Sequence, residues 1–271
     1  EVIDIRVPMG VEQAKLYAHY MDRANINQRN AMVKAAVQSA YLRNVCCDPA
    51  TCEQNGDGKT TGITPVVQSN FNPKLVSILE LVTEILARKE QVVVVSSRKG
   101  FTQEVANRLT LAKVPYSRID SATPTKNHTY ESSKFKNGTT PVMLMGIKCA
   151  EGHSYDNCSN LIISSLEYSY GVFNQAQGRV DRLLSKGSKI YCVLHKASIE
   201  EVMFDNVATK GDSAAICLEG KRVPRLWKPA DISEVLADSI TAFDSATTED
   251  EATCENKWEI LRKKLEIGYR S

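Results

Sequence analysis

The sequence predicts an α/β fold, a parallel sheet with helices on both faces, on the strength of two observations. Between Asn72 and about Lys210, short apolar runs rich in β-branched residues alternate with helical stretches, the signature of successive βαβ units. The runs are apolar without alternation, as in Gln91-Val-Val-Val-Val-Ser-Ser97 and Asn160-Leu-Ile-Ile-Ser-Ser-Leu166. Strands of that kind are covered on both faces, as parallel strands are. A chain of 271 residues with 42% hydrophobic and 24% charged content has enough apolar matter for one large domain with appendages.

Three segments are expected. Residues 1–70 read as a helical N-terminal extension that ends in a Gly-rich loop. A short alternating run (Val2, Ile3, Ile5, Val7) leads into helical spacing at Val11, Ala14, Leu16, Tyr17 and Tyr20, and again at Met32, Ala35, Ala36, Ala40 and Leu42. Pro49 closes this part. In the loop that follows, Gly58-Lys59-Thr60 imitates the end of a phosphate-cradling loop, but position 53 is Glu where that spacing needs Gly, so it reads as a solvated turn.

Residues 71–210 form the α/β lobe. A helix over 73–88 is followed by a strand at Gln91–Ser97, a helix at Phe101–Ala112 and a strand at Tyr116–Asp120. A polar helix over 125–136 precedes strands at Pro141–Met145 and Leu161–Leu166, and Lys189–Leu194 is the last strand. Ser198–Val207 closes as a helix, with Ser198 as cap and Glu201 completing a capping box. Residues 211–271 differ in character. Lys221-Arg-Val-Pro-Arg-Leu-Trp-Lys228 reads as a strap, and Trp258, Leu261 and Leu265 mark a final amphipathic helix.

The totals exclude some functions. A net charge of +2 gives no bulk attraction for nucleic acid, so any such binding must come from local patches. No apolar run approaches the roughly 20 residues of a bilayer crossing, and no membrane partner is expected. The opening Glu-Val-Ile-Asp-Ile-Arg is not a signal peptide, and without an initial Met the chain reads as a fragment of an intracellular protein. Eight cysteines lack framework spacing; Cys46, Cys47 and Cys52 cluster with no His pair nearby, so no metal site is expected.

In parallel α/β sheets ligands bind beyond the carboxyl ends of the strands, which directs attention to the loops after Ser97, Asp120, Gly146 and Leu166. Ser96-Ser-Arg-Lys-Gly-Phe-Thr102 offers hydroxyls, two cations and a helix start, a combination suited to phosphate. Ser121-Ala-Thr-Pro-Thr125 repeats the hydroxyls and helix start. Lys148-Cys-Ala-Glu-Gly152 adds a cation and a glycine. In Gln175-Ala-Gln-Gly-Arg-Val-Asp-Arg182, two guanidinium groups three residues apart share one helix face, and Gly178 removes a side chain where something must pass closely.

These segments, in this order, resemble the C-terminal RecA-like lobe of superfamily 2 helicases and translocases, most closely the Swi/Snf-type ATPases. Gln175-x-x-Gly-Arg179-x-x-Arg182 is similar to motif VI, Ala150-Glu-Gly152 through Asn160-Leu-Ile-Ile163 to motif V, and Val92–Thr102 to motif IV. Tyr116-Ser-Arg-Ile-Asp-Ser-Ala-Thr123 resembles the family's Arg-Leu-Asp-Gly-Ser/Thr stretch. Gln13–Tyr17, Leu42-Arg-Asn-Val-Cys-Cys-Asp-Pro49 and Asn72-Pro-Lys-Leu75 match three shorter landmarks in order. The departures are Gly146 for a Ser/Thr, Ala150-Glu151 for Gly-Gly, His153-Ser154 after the last glycine, and Tyr170-Gly-Val-Phe-Asn174 for Trp-Asn-Pro. On this resemblance they mark a divergent member, with a viral source as one reading.

The resemblance implies a half-site. ATP with Mg2+ would be bound mainly by an N-terminal lobe outside this chain, and the fragment alone would be inactive. Arg179 and Arg182 would be arginine fingers, Gln175 a γ-phosphate or cross-lobe contact, and Gly152, Glu151 and Gly178 would lie by the nucleotide. Arg98, Lys99, Thr102, Thr123 and Lys148 would meet the backbone of the nucleic acid, duplex DNA in the first instance. The other reading of the same residues is a non-catalytic RecA-like interaction module that binds protein or nucleic acid.

Overall fold

The structure, a computed structural model, describes residues 1–22, 26, 28–50, 52, 71–149, 155–165, 188–206, 243 and 247–268. Gly58-Lys59-Thr60, Glu151, Gly152, Gln175, Gly178, Arg179, Arg182 and the strap 221–228 lie outside these. Of Lys148 only the backbone is described.

Six strands form one sheet: β1 (Val2–Val7), β3 (Val92–Ser96), β4 (Tyr116–Ile119), β5 (Val142–Gly146), β6 (Asn160–Ile163) and β7 (Lys189–His195), in the order β1-β7-β6-β3-β5-β4. Every pairing is parallel. This is the parallel α/β arrangement that the apolar runs predict, in the RecA-like form that the resemblance implies. Side chains alternate across the strands, so Val93 and Val95 enter the core on one face while Val92 and Val94 enter the core on the other.

Helices α3 (Pro73–Ala87) and α4 (Lys99–Leu111) cover the Val92/Val94 face. In α3, Leu75, Ile78, Leu79, Val82 and Ile85 recur at helical spacing and are buried. Its start is fixed by Asn72, whose side chain accepts from the Leu75 amide at 3.2 Å, with Pro73 in the first turn. The opposite face is covered by α1 (Val11–Met21), α2 (Ala31–Cys47), α5 (Thr125–Lys136) and α6, residues 199–206. Tyr17, Leu42, Phe135 and Met203 reach this second core.

The sheet crosses the boundary drawn at residue 70. β1 is an edge strand of the lobe, paired residue by residue with β7 from Val2↔Ile190 to Val7↔His195. The C-terminal segment is also integrated. β8 (Thr248–Glu249) pairs with β2 (Met9–Gly10), and α7 (Glu251–Gly268) buries Cys254, Trp258, Leu261 and Leu265 in the α3 side of the core. Asp250 caps α7 by accepting the Thr253 amide at 2.7 Å. Among the described residues no helix is long and apolar enough to cross a membrane.

At α6 the predicted capping box forms with altered geometry. The Ser198 hydroxyl accepts from the Glu200 amide at 3.2 Å, but Glu201 reaches back to the Ala197 amide at 2.8 Å rather than to that of Ser198. Ala197 has a φ of 52°, in the left-handed region, and belongs to the tight turn between β7 and α6.

Candidate functional site at the carboxyl edge of the sheet

Because all strands run the same way, their carboxyl ends gather the loops that follow β3, β4 and β5. A pocket of about 120 Å³ opens there, lined by Ser96, Ser97, Arg98, Lys99, Thr102, Asp120, Ser121, Gly146, Ile147 and Cys149. Arg98, Lys99 and Thr102, named from sequence, thus share one pocket. Thr123 lies beside it, in the turn after Asp120, and Lys148 follows β5 in the 3-10 turn Ile147–Cys149 at the same edge.

The serines knit strand ends together. The Ser97 amide donates to Ser165 Oγ at 2.7 Å, that hydroxyl donates to Ser97 Oγ at 2.8 Å, and Ser164 Oγ donates to the Val95 carbonyl at 3.1 Å. Ser96 Oγ accepts from the Arg98 amide at 3.1 Å, and Thr102 Oγ1 donates to the Arg98 carbonyl at 3.1 Å. Thr102 is 4% exposed, so what it presents to the pocket is a small buried surface.

The helix start expected to serve a phosphate is already occupied. The Gly100 amide, in the first turn of α4, donates to Asp48 Oδ2 at 3.1 Å, and neither Ser96 nor Ser97 caps the helix. Asp48 comes so near that a Cβ built on Gly100 would lie 2.3 Å from its Oδ1. Of the groups expected in Ser96–Thr102, the Gly100 amide is thus already bonded, and the cationic groups of the loop are the side chains of Arg98 and Lys99. The start of α5 is likewise uncapped by side chains, and Asp120 organises the preceding turn by accepting the Ala122 amide at 2.8 Å.

Arg98 is half-buried, and among the described residues it has no carboxylate partner. Three other half-buried arginines, Arg108, Arg118 and Arg262, have one each: Glu104 at 2.9 Å, Asp120 at 2.6 Å and Glu259 at 2.9 Å. A partly desolvated guanidinium without a counter-ion attracts an external anion more strongly than a solvated one. Gly146 has a physical reason to lack the side chain usual in the resembling family. A Cβ there would lie 3.3 Å from Asp120 Cβ and 3.4 Å from its Cα, so β4 would have to give way.

Beneath the pocket lies a buried polar node to which sequence reading assigned no role. Lys74 Nζ, wholly buried, donates to Glu200 Oε1 and Oε2 at 2.6 and 2.5 Å and to the Ser164 carbonyl at 3.1 Å, and it lies 3.6 Å from Cys47 Sγ. Burial opposes its charge, but the groups around it, the Glu200 carboxylate with its two hydrogen bonds among them, outweigh burial, and its pKa stands above the usual lysine value. Burial pushes the Cys47 thiol up to about 12, so it stays protonated and inert.

Glu200 Oε2 also accepts the His195 amide at 2.9 Å. The His195 ring bridges the Pro8 carbonyl (Nδ1, 3.0 Å) and Gln13 Nε2 (Nε2, 3.0 Å); burial first, and the Lys74 charge second, hold its pKa well below the usual value. Lys74, Gln13 and Asp48 all fall within the short landmarks quoted above. The available signal was a lysine in the first turn of a helix whose inward face is otherwise mostly apolar.

Residues 74–183 match the family model described as the helicase conserved C-terminal domain. No curated protein sequence matches the chain. Among solved structures, one described as the C-terminal part of the Fun30 ATPase domain is similar with a TM-score of 0.61 over 98% of this chain and 97% of that chain, at 12% identity. At that identity the likeness establishes the fold. The matched segment runs from Lys74 past β6 and takes in the pocket lined by Arg98.

Proposed function

We propose that the chain is the second lobe of an ATP-dependent nucleic-acid translocase or helicase, with duplex DNA as its track. The observation that carries this reading is Arg98, a half-buried cation with no carboxylate among the described residues, inside the segment that matches the helicase domain. Motors of this kind track phosphates rather than bases, so they need cations at one edge and no base-reading helix. Lys99, exposed at the start of α4, and Lys148, after β5, extend the same edge, while Thr102 and Thr123 complete its hydroxyl lining.

The nucleotide half of the proposal concerns residues beyond those described. Arg179, Arg182 and Gln175 are assigned to the γ-phosphate of ATP, with Gly152, Glu151 and Gly178 alongside. Among the described residues the first-turn amide of α4 at Gly100 is taken by Asp48, and on this reading the cradle for the phosphates of ATP-Mg2+ lies elsewhere. That cradle is assigned to the partner lobe, and this chain's contribution is positive charge held where charge develops during phosphoryl transfer.

Arg98→Ala tests the track. Its affinity for a short DNA duplex should fall, and the slope of log affinity against log salt should decrease by about one. Binding with unchanged affinity and slope would remove the central support.

A further inference from the structure

A fully buried ion pair is an expensive way to join two elements, because desolvation offsets most of the attraction. Lys74 also stands in the first turn of α3, where the helix dipole disfavours a cation. Its place is better explained by what it holds. The ammonium donates to the carbonyl of Ser164, the residue just past β6, at 3.1 Å. The next residue, Ser165, exchanges two hydrogen bonds with Ser97, at 2.7 and 2.8 Å, and Ser97 immediately precedes Arg98.

A second link starts from the same node. Cys47 Sγ donates to the Ser164 carbonyl at 3.3 Å, and the adjacent Asp48 accepts the Gly100 amide at 3.1 Å. Residues 97–100 are therefore gripped on both sides by groups that converge on Lys74.

We infer that Lys74, with Glu200 as its counter-ion, is a positioning residue for Arg98, fixing the loop that aims this guanidinium at a phosphate of the nucleic-acid backbone. The inference rests on reading the Arg98 pocket as the track site. It assigns to a buried pair a function that the pair exerts through Ser164, Ser165 and Ser97, without touching the ligand.

The test is a cycle of variants on the chain, with a short labelled DNA duplex titrated across a range of salt. Lys74→Met/Glu200→Gln removes both charges together and leaves an acceptor for the His195 amide, which donates to Glu200 at 2.9 Å. Ser165→Ala cuts the same link without disturbing the ion pair. Each is expected to lower the salt slope by about one, as Arg98→Ala does, and combining either with Arg98→Ala should produce no further loss. If Arg98→Ala lowers the slope but the other two bind as wild type, or lose only thermal stability, the pair is merely structural and the inference is overturned. Additive losses overturn it equally. If Arg98→Ala itself binds as wild type, the track reading fails first, and that result is distinct from the others.

Discussion

At His195 both ring nitrogens face groups that settle the proton's position. Pro8 offers a carbonyl to Nδ1, so Nδ1 carries the hydrogen, and Nε2 accepts from the Gln13 amide nitrogen. Gln13 cannot turn over to receive a second ring proton without losing its bonds to the Val45 carbonyl (2.8 Å) and the Gly10 amide (3.1 Å). The depressed pKa follows, and the sign of its linkage is fixed. The unfolded chain binds a proton near pH 6.5 and the folded chain does not, so this contribution to stability is present above about 6.5 and lost as pH falls below it, at up to about 1.4 kcal/mol per pH unit. Urea unfolding at a series of pH values should show the decline, and His195→Asn, which keeps a donor toward Pro8, should flatten it while lowering stability at neutral pH. Gly100→Ala belongs to the same scale. The added methyl would collide with Asp48 Oδ1 at 2.3 Å, and displacing a buried carboxylate from its amide should cost about 1–3 kcal/mol in a denaturant titration. A cost near zero would mean that Asp48 moves aside freely.

Among the elements, α7 shows how far local pattern reaches. Trp258, Leu261 and Leu265 announce an amphipathic helix, and with Cys254 they are the residues it buries. What they bury against was not legible, because spacing specifies a face and not its partner. Here the partner is α3, with Arg108 seated over the rings of both Phe71 (4.2 Å) and Trp258 (5.4 Å). Trp258→Ala should therefore cost about 3–5 kcal/mol and shift the single unfolding transition of the whole lobe; a separate early transition confined to the last helix would show that α7 is an independent appendage. The same limit explains β1. Its alternation was visible, but its neighbour β7 is distant in sequence, and the bond from the Glu1 amino group to the Ser188 carbonyl, 2.8 Å across 187 positions, has no local signature. β3, β5 and β6 were legible because parallel strands buried on both faces leave continuous apolar runs. At the site, the meeting of the loop holding Arg98, Lys99 and Thr102 with Asp120, Ser121 and Gly146 followed from strand direction. Asp48 at the start of α4 and the Lys74–Glu200 pair did not, since each joins residues far apart in the chain.

For the molecule as a whole, a net charge of +2 and a sheet with one charged carboxyl edge make a strong general attraction for DNA implausible and a local, salt-sensitive one natural. The same economy holds for ATP. Phosphoryl transfer needs a phosphate cradle, a metal site and charge on the transferring group, and the proposed reading assigns this chain only the last, with the Gly100 amide of α4 already taken by Asp48. The chain alone should therefore show no significant turnover in a coupled ATPase assay with or without duplex DNA. Turnover should require a partner lobe carrying the phosphate loop. In a protein that holds both lobes, Arg179→Ala should lower the rate by about 10³ or more while nucleotide binding persists, because a group that acts on developing charge contributes to the transition state and little to the ground state. Retained turnover in that variant would favour a lobe kept for binding, whereas robust hydrolysis by the isolated chain would mean that the cradle lies within it after all.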